Sequence, residues 1–253
     1  YRNEGDGTFT DVSEEAGVLA PGPRYSITPV SYDFDNDGWP DVYVAVDSMP
    51  SMLFQNNQDG TFSEIGVPSW AAYNEDGRPQ AGMGLAIGDY NVDGWLAIFK
   101  THFIDDTPVL YRALGDGTFS DMTGPAGMAR LTQYVSWGAA FMDYDNDGWK
   151  DLFMTTGFQR DFTNRDYRNF LQQYQFRMMV RKEEPDSLYL VQYPPETPIR
   201  NYLYHNNGDL TFTDRSSEWG FEKPGWTNGA AYADLDNDGD LDLVLNNLNH
   251  TAV

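Results

Sequence analysis

The chain has 253 residues with no cysteine, and its 39 acidic and 16 basic residues give a formal net charge of −23. This charge repels phosphate backbones and anionic membrane surfaces, which argues against nucleic acid as a partner class. The lack of cysteine excludes disulfides and thiolate metal sites, and no apolar run approaches the length of a membrane span. Such an excess of carboxylates calls for neutralising cations, and divalent metal ions are the obvious candidates.

An aspartate-rich motif of nine residues recurs four times along the chain. It occupies residues 33–41, 89–97, 143–151 and 234–242, and its first aspartates are 56, 54 and 91 residues apart. A regular period is the signature of a repeat architecture, so the chain is read as repeats of about 54 residues. The longer last spacing indicates that the third repeat carries an insertion.

A second motif, ending in Thr-Phe, accompanies the aspartate motif in each repeat. It occupies residues 1–9, 54–62, 111–119 and 204–212, and it contains an Asp-Gly pair except in the fourth copy, where Leu210 replaces the glycine. An Asp-Gly pair between apolar runs predicts a β-hairpin whose two turn residues both have positive φ.

Each repeat therefore reads as four short strands. In the third repeat these strands are predicted at residues 136–142, 151–155, 202–205 and 211–214. Four strands at this period are typical of a propeller blade. The predicted fold class is all-β, a β-propeller of four-stranded blades with one helical insertion.

The insertion, at residues 158–200, has the pattern of a helix. Thr163 and Asp166 resemble a capping box, and apolar residues follow at the spacing of an amphipathic helix that ends before Pro185. The apolar positions are Tyr167, Phe170, Leu171, Tyr174 and Met178.

The same insertion holds seven basic and six acidic residues, so it is nearly neutral, whereas the rest of the chain carries all of the net negative charge. Insertions in propellers usually lie on one face, so we expect this segment to present a basic partner surface. A helix that merely caps the propeller is an equal alternative. The basic residues of the predicted surface are Arg160, Arg165, Arg168, Arg177, Arg181 and Lys182.

The aspartate motif, Asp-x-Asp-x-Asp-Gly-x-x-Asp, has the spacing of a hard-cation site. Oxygens at positions 1, 3 and 5 can converge on one ion, and glycine at position 6 permits a sharp turn. Position 7 adds a backbone carbonyl and position 9 a further carboxylate, which suits Ca²⁺ better than Mg²⁺ because Ca²⁺ accepts more oxygens in a flexible geometry. A helix–loop–helix calcium hand is excluded, since position 12 lacks the required glutamate.

Three of the four motifs are intact, and we predict one calcium ion in each. The second motif has Ala97 at position 9, so its Asp89, Asn91 and Asp93 are expected to form at most a weak fourth site. The alternative for every motif is an Asx turn without metal. The ligands predicted for the intact motifs are Asp33, Asp35, Asp37, Trp39 and Asp41, then Asp143, Asp145, Asp147, Trp149 and Asp151, and finally Asp234, Asp236, Asp238, Asp240 and Asp242.

We expect residues 1–253 to form a single propeller domain or part of one. The first hairpin motif precedes the first aspartate motif, and no hairpin motif follows the last aspartate motif. Either residues 242–253 join residues 1–11 to complete a ring, or the chain belongs to a larger propeller. The larger propeller is favoured because four blades lie at the lower end of the usual range.

At these motifs the chain resembles the FG-GAP and VCBS repeat propellers, a group that includes the heads of integrin α-subunits. The resemblance is greatest to the cartilage-acidic-protein-like branch and its ASPIC/UnbV-type relatives in bacteria, and residues 228–247 and 1–18 carry it. It implies calcium-stiffened blades, an extracytoplasmic location and loops that contact proteins or glycans.

The predicted function is a calcium-stabilised binding or structural module for protein or glycan partners, located extracellularly, in the periplasm or at the cell surface. Two alternatives stay open, an enzyme that acts on polysaccharides and a subunit of a surface assembly or filament. Against catalysis, the carboxylates that could act as acid and base are expected to bind calcium. His102, His205 and His250 lie in no catalytic motif, and residues 249–251 form a glycosylation sequon.

Overall fold

The structure is a computed structural model that describes residues 1–19, 22–104, 106–129 and 135–248. The glycosylation sequon at residues 249–251 and His250 lie outside the described residues. Within those ranges, no helix is both long and apolar enough to cross a bilayer.

The dominant element is a four-stranded antiparallel sheet that occurs three times in the described residues, together with short two-stranded sheets. Two helices, α1 (Arg165–Arg181) and α2 (Ser187–Gln192), lie in the insertion. In chain order the strands are β1 (Arg2–Asn3), β2 (Phe9–Thr10), β3 (Ser26–Tyr32), β4 (Asp41–Val46), β5 (Met52–Asn56), β6 (Phe62–Glu64), β7 (Gly82–Gly88), β8 (Ala97–His102), β9 (Val109–Ala113), β10 (Phe119–Asp121), β11 (Ser136–Met142), β12 (Asp151–Thr156), β13 (Phe158–Arg160), β14 (Glu196–Thr197), β15 (Tyr202–Asn206), β16 (Phe212–Asp214), β17 (Thr227–Ala233) and β18 (Asp242–Asn247).

The three complete sheets are the blades of a β-propeller. Blade 1 is β3-β4-β5-β6, blade 2 is β7-β8-β9-β10, and blade 3 is β11-β12-β15-β16. The first strands of successive sheets, β3, β7, β11 and β17, pack side by side. The predicted fold class is confirmed, and the four strands predicted for the third repeat agree with blade 3 to within one residue at each end.

Two further sheets flank the blades. β1 pairs with β2, and β17 pairs with β18, and the described strands of these two sheets do not pair with one another. The predicted closure of a ring between the two ends of the chain therefore has no counterpart in the described strands. The assignment of residues 1–253 to a single domain stays a prediction.

The hairpins connect the third and fourth strands of each blade as predicted, but their turn conformation differs. Gln58 and Gly60 have positive φ, whereas Asp59 between them does not. The Asp59 carboxylate instead accepts hydrogen bonds from the backbone N–H and the hydroxyl of Thr61. The prediction of positive φ at both residues of the Asp-Gly pair was wrong, because the aspartate forms a side-chain turn. In the fourth copy Leu210 adopts a φ of 72° where the other copies have glycine.

The insertion contains the predicted helix, α1, and also α2, which the periodicity did not predict. The residue that caps α1 is Asn164, whose side chain accepts hydrogen bonds from the backbone N–H groups of Asp166 and Tyr167. Thr163 instead donates to the carboxylate of Asp161. The capping box predicted at Thr163 and Asp166 was therefore wrong by one residue at its first position.

The apolar face predicted for α1 packs mainly against α2. Phe170 stacks on Tyr193 with ring centroids 3.7 Å apart, and Tyr174 lies beside Tyr189. Tyr167 is buried. The two helices thus stabilise one another through aromatic contacts.

The ends of the insertion are held together at the blade. β12 and β15 pair as neighbouring strands although the insertion separates them in sequence. The hydroxyl of Thr156 donates to the carbonyl oxygen of Arg200 at 2.6 Å, and its backbone N–H donates to the side chain of Asn201 at 3.0 Å. Blade 3 therefore keeps the strand order of the other blades.

The hydrophobic core lies between neighbouring blades. Phe99 and Leu110 of blade 2 pack with Phe141 and Leu152 of blade 3, and all four side chains are buried. Burying a side chain of this size contributes about 1.5–3 kcal/mol to the free energy of unfolding. A second core cluster joins blades 1 and 2 in the same way.

A glycine sets the closest approach between the first strands of blades 2 and 3. A Cβ atom added to Gly84 would lie 1.9 Å from the carbonyl oxygen of Trp137 on β11. The hydroxyl of Thr101 donates to that carbonyl at 2.6 Å and accepts the backbone N–H of Gly84 at 2.7 Å. The corresponding glycine of β17, Gly229, has no atom within 4 Å of an added Cβ.

We expect Gly84→Ala to destabilise the protein by about 2 kcal/mol or more, because backbone atoms of two strands must move apart to admit a methyl group. Gly229→Ala is the matched control, since it adds the same methyl group at the same repeat position in open space. Urea denaturation of the two variants measures the difference. Equal stabilities would contradict the close packing of β7 against β11.

Candidate metal centres

Each aspartate motif forms a loop between the first and second strands of its sheet. Loop 1 (residues 33–41) joins β3 to β4, and loop 2 (89–97) joins β7 to β8. Loop 3 (143–151) joins β11 to β12, and loop 4 (234–242) joins β17 to β18. The loops therefore lie in the strand–loop–strand setting that the sequence predicts.

The backbone of the loops turns sharply at two positions. In loop 3, Asn146 at position 4 has a φ of 57° and Gly148 at position 6 has a φ of 91°. The carboxylate of Asp143 accepts the backbone N–H groups of Asp147 at 3.0 Å and Gly148 at 2.9 Å. Asp147 in turn accepts the N–H of Trp149 at 2.8 Å. These hydrogen bonds fold the loop back on itself before any ion is considered.

The aspartate at position 9 anchors loops 1 and 3 to their blades. Asp41 and Asp151 are buried, and each carboxylate accepts one backbone N–H from its own loop and one from the third strand of its blade. For Asp151 the donors are Tyr144 at 3.0 Å and Asn206 at 2.8 Å. Burial raises the pKa of both carboxyl groups, and a cation in the loop would offset the cost of their charge.

Carboxylate oxygens converge in loops 1, 3 and 4, where three ligand atoms from different aspartates lie within 4.8 Å of one another. Carboxylate oxygens of this density, supplemented by a backbone carbonyl, are the donor set that Ca²⁺ prefers. The residues present therefore fit a calcium ion. The converging groups are Asp33, Asp35 and Asp37 in loop 1, Asp143, Asp145 and Asp151 in loop 3, and Asp234, Asp236 and Asp242 in loop 4.

The side chains at position 7 lie in different surroundings in the three loops, and each of these residues offers a backbone carbonyl as a ligand. The indole of Trp149 lies over Gly208 in the hairpin of its own blade. Trp39 is half exposed. In loop 4, Asp240 accepts a hydrogen bond from Asn146 of loop 3 at 2.6 Å. Asp238 accepts the N–H of Asp240 at 2.9 Å, as position 5 does in the other loops.

Loop 2 follows the same backbone path as the other loops but lacks part of their set of metal-binding oxygens. The side-chain amide of Asn91 donates to Asp93 at 2.6 Å, and the guanidinium of Arg112 on β9 pairs with the same carboxylate at 3.1 Å. Asp89 accepts backbone N–H groups as the first aspartates of the other loops do. Ala97 is buried at position 9 and offers no carboxylate. Loop 2 thus contains an internal cation, which is a physical reason for the weak metal binding predicted for it.

A residue on the third strand reaches each loop of the complete blades, a contact that the sequence motifs did not predict. Gln55, Arg112 and His205 share one register position in blades 1, 2 and 3. Gln55 donates to Asp35 at 2.7 Å, and Nδ1 of His205 lies 3.5 Å from an oxygen of Asp145. The signal was available in the sequence, because this residue always follows the aromatic residue that opens the hairpin motif.

Neighbouring loops are connected through the asparagine at position 4. Asn36 of loop 1 donates to the carbonyl oxygen of Gly94 in loop 2 at 3.1 Å, and Asn146 of loop 3 donates to Asp240 of loop 4 at 2.6 Å. Loop 2 has Val92 at this position, with a φ of 55° and an exposed side chain. A β-branched residue is strained in the left-handed region, whereas asparagine tolerates it.

The predicted basic surface lies on α1, apart from one residue. Arg160 pairs with Glu196 at 2.9 Å and donates to the carbonyl oxygen of Pro194 at 3.2 Å, so it is engaged within the insertion. The other five side chains are exposed to solvent. They are Arg165, Arg168, Arg177, Arg181 and, at the C-cap, Lys182.

We expect Val92→Asn to stabilise the protein by about 1 kcal/mol, because asparagine relieves the left-handed strain and little buried surface is lost. The reverse substitution at the same position of loop 4, Asn237→Val, should destabilise by a similar amount. Thermal unfolding in excess chelator measures both. If Val92→Asn lowered the melting temperature, the strain assigned to loop 2 would be disproved.

We expect Asp151→Ala to destabilise the metal-free protein by about 2 kcal/mol or more, because two backbone N–H groups lose their acceptor in a buried site. Asp242→Ala is the matched control at position 9 of loop 4, where the carboxylate is exposed and accepts the N–H of Leu235. Denaturation of both variants in excess chelator removes any contribution from metal. Equal losses would show that burial at position 9 has no structural effect.

Comparison with known proteins connects these loops to a family and to curated relatives. Residues 1–44, 33–99 and 188–245 match the family model described as FG-GAP-like repeat. Cartilage acidic protein 1 from Homo sapiens is 28% identical over 241 residues, and that from Mus musculus is 27% identical over 239 residues. Each of these alignments covers 93% of this chain and 30% of the relative.

A third relative, Cartilage acidic protein 1 from Xenopus tropicalis, is 28% identical over 213 residues, which cover 83% of this chain and 27% of the relative. The chain thus spans less than a third of the length of these curated relatives. Among solved structures, a lectin from Agrocybe aegerita that specifically recognises non-reducing terminal N-acetylglucosamine has a TM-score of 0.42 and 16% identity. That match covers 88% of this chain and 47% of the lectin, and it is too distant to bear on function.

The family match extends over more than half of the chain and includes loops 1, 2 and 4 with the strands that flank them. The matched repeats therefore contain both the loops and strands of the blades. The chain belongs to the FG-GAP-like repeat family.

Proposed function

We propose that the chain is a calcium-stabilised module outside the cytoplasm that binds protein or glycan partners. The observation that carries the proposal is the donor geometry of loops 1 and 3. In each loop a buried carboxylate anchors the backbone, and further carboxylates converge in front of it. Such a loop is organised to receive a hard cation at low entropic cost.

Electrostatics support an ion in these loops. Carboxylates within 4.8 Å of one another repel unless a counter-ion lies between them. The net charge of −23 adds a general repulsion that bound Ca²⁺ would reduce. Ca²⁺ is favoured over Mg²⁺ because the loops offer many oxygens in a flexible arrangement, whereas Mg²⁺ retains several waters and a strict octahedron.

The relatives support an extracellular location. The curated relatives are named for cartilage, a tissue whose bulk is extracellular matrix. Calcium sites of modest affinity are filled where calcium is millimolar, as it is outside cells. Periplasm and cell surface belong to the same proposal, since both lie outside the cytoplasm.

A binding role is favoured over catalysis. The aspartates that could serve as acid and base already accept backbone N–H groups within their loops or are buried beneath them. An enzyme that acts on polysaccharides needs a pair of carboxylates free to face the substrate. The calcium loops are therefore assigned a structural role.

The partner surface that we propose is the exposed face of α1. Phe176, Met179 and Val180 are exposed at the i, i+3, i+4 spacing, so they form one apolar patch on the helix. Arg177 and Arg181 lie beside this patch in sequence and are exposed. Apolar contact bordered by arginine is typical of protein interfaces, which supports a protein partner at this face.

We also propose that these blades form part of a larger propeller or of a surface assembly. Tyr25 and Ile27 at the start of β3 are exposed, as are Tyr232 on β17 and Val244 on β18. Between blades 1 and 2, and between blades 2 and 3, the facing surfaces cover one another. An additional sheet packed on each face would bury these side chains.

We expect the metal-free protein to bind about three calcium ions per chain and to gain a large increase in melting temperature. Each site contributes about 2.7 kcal/mol when calcium is at a hundredfold excess over the dissociation constant. Isothermal titration with CaCl₂ after chelator treatment counts the ions, and thermal unfolding measures the gain.

Two variants separate metal binding from loop structure. Asp147→Ala in loop 3 should remove one ion, whereas Asp93→Asn in loop 2 should remove none. If calcium binds to no site and leaves the melting temperature unchanged, the aspartate loops are turns without metal, and the calcium-stabilised module is wrong.

A further inference from the structure

Trp70 occupies a backbone position that the other repeats give to glycine. It has a φ of 65°, in the left-handed region, where Gly17, Gly127 and Gly220 have values of 72°, 83° and 90°. The hydrogen bonds around the four residues are the same, since each N–H donates to the carbonyl oxygen three residues earlier. The turn is therefore one repeated element, and Trp70 is its exception.

The left-handed conformation of Trp70 costs conformational energy, and burial of the side chain does not compensate for that cost. A bulky side chain in the left-handed region is strained, and such strain concentrates at sites that bind ligands. The side chain of Trp70 is 68% exposed, so the indole gains little from packing. A large aromatic ring held in a strained turn and presented to solvent is typical of a binding platform.

A groove lies directly beside this ring. Its volume is about 490 Å³, within the roughly 300–1,000 Å³ range of ligand pockets. The connector at residues 71–81, which leads from Trp70 to β7, is longer than the corresponding connectors of the other repeats and forms one wall. The groove is lined by Trp70 and Val67, by Tyr73, Asn74 and Glu75 of the connector, and by Asp121 at the end of β10.

Hydrogen bonds hold the wall of the groove to blade 2. Asp121 accepts the backbone N–H of Glu75 at 3.0 Å, and the hydroxyl of Tyr111 donates to the carbonyl oxygen of Tyr73 at 2.8 Å. The side chain of Asn74 accepts the N–H of Arg78 at 2.9 Å, which closes the tip of the connector into a turn. The groove is therefore already ordered before a ligand binds, which lowers the entropic cost of binding.

We propose that this groove binds a neutral sugar ring of a glycan, with Trp70 as the stacking platform. One face of a pyranose ring presents C–H groups that pack on an indole, and its edge presents hydroxyls that donate to carboxylates. Trp70 supplies the first surface, and Glu75 supplies acceptors at the edge of the groove, since the carboxylate of Asp121 already accepts hydrogen bonds from Glu75 and Thr123. This inference rests on the proposed binding function and specifies the site and the ligand class.

Charge decides which sugars fit. Two carboxylates line the groove, and the chain around it has a net charge of −23. Sialylated, uronic and sulfated glycans carry negative charge and are repelled by such a surface. The groove is therefore specific for uncharged hexoses and N-acetylhexosamines over acidic sugars.

The test uses the calcium-loaded chain and a panel of defined trisaccharides. The neutral members contain glucose, mannose, galactose or N-acetylglucosamine, and sialyllactose and a heparin trisaccharide are the acidic members. We expect at least one neutral trisaccharide to bind with a change in tryptophan fluorescence, and the acidic members not to bind. Trp70→Gly should weaken that binding at least tenfold and, by relieving strain, raise the melting temperature by about 2–4 °C.

Phe9→Ala is the matched control, because it removes an exposed aromatic residue of β2 that lies outside the groove. It should leave sugar binding unchanged. If Trp70→Gly binds the sugar as the unmodified chain does, the glycan site lies elsewhere and its assignment to this groove is wrong. The proposal that the chain binds glycans would be retained. If no neutral trisaccharide binds, or only acidic ones bind, the inference is overturned. Calcium titration of the same samples shows separately whether the metal-stabilised module stands.

Discussion

Blades 1 and 3 depend on one interaction. In each of them a buried carboxylate accepts hydrogen bonds from two backbone N–H groups. Asp41 and Asp151 lie beneath loops 1 and 3, and each joins its loop to the third strand of its blade. Because one N–H group of the loop and one of the third strand hold its two oxygens, this carboxylate is fixed beneath the loop and is not free to turn toward solvent. The remaining aspartates of each loop lie close together, and a cation bound among them would relieve their mutual repulsion.

The blades differ in the groups that lie next to the loop aspartates. In blade 2 the ninth position is Ala97, and the guanidinium of Arg112 pairs with Asp93. In blade 1 the third-strand residue is Gln55, whose neutral amide donates to Asp35 without adding charge. A repeat therefore keeps the path of its backbone whether its third strand brings a neutral amide or a cation to the loop.

Much of this architecture could be predicted from sequence because it repeats. The period, the loop positions and the strands of blade 3 follow from motifs whose spacing is set within one blade. Features that depend on neighbours could not be predicted. The N-cap at Asn164 was displaced by one residue, and α2 was missed, because its aromatic contacts with α1 involve residues distant in sequence. The role of Arg112 was also missed, since only the folded sheet brings β9 under loop 2.

The hydrogen bonds that close the ends of the insertion have a consequence for how this protein can change. Thr156 donates hydrogen bonds to the carbonyl oxygen of Arg200 and to the side chain of Asn201. These bonds close the blade independently of the residues that lie between them in sequence. The insertion of about 40 residues can thus be lengthened, shortened or exchanged with a small entropic penalty, because the entropic cost of loop closure grows only logarithmically with loop length. The connection between the two central strands of blade 3 can therefore carry a new surface while the propeller stays the same.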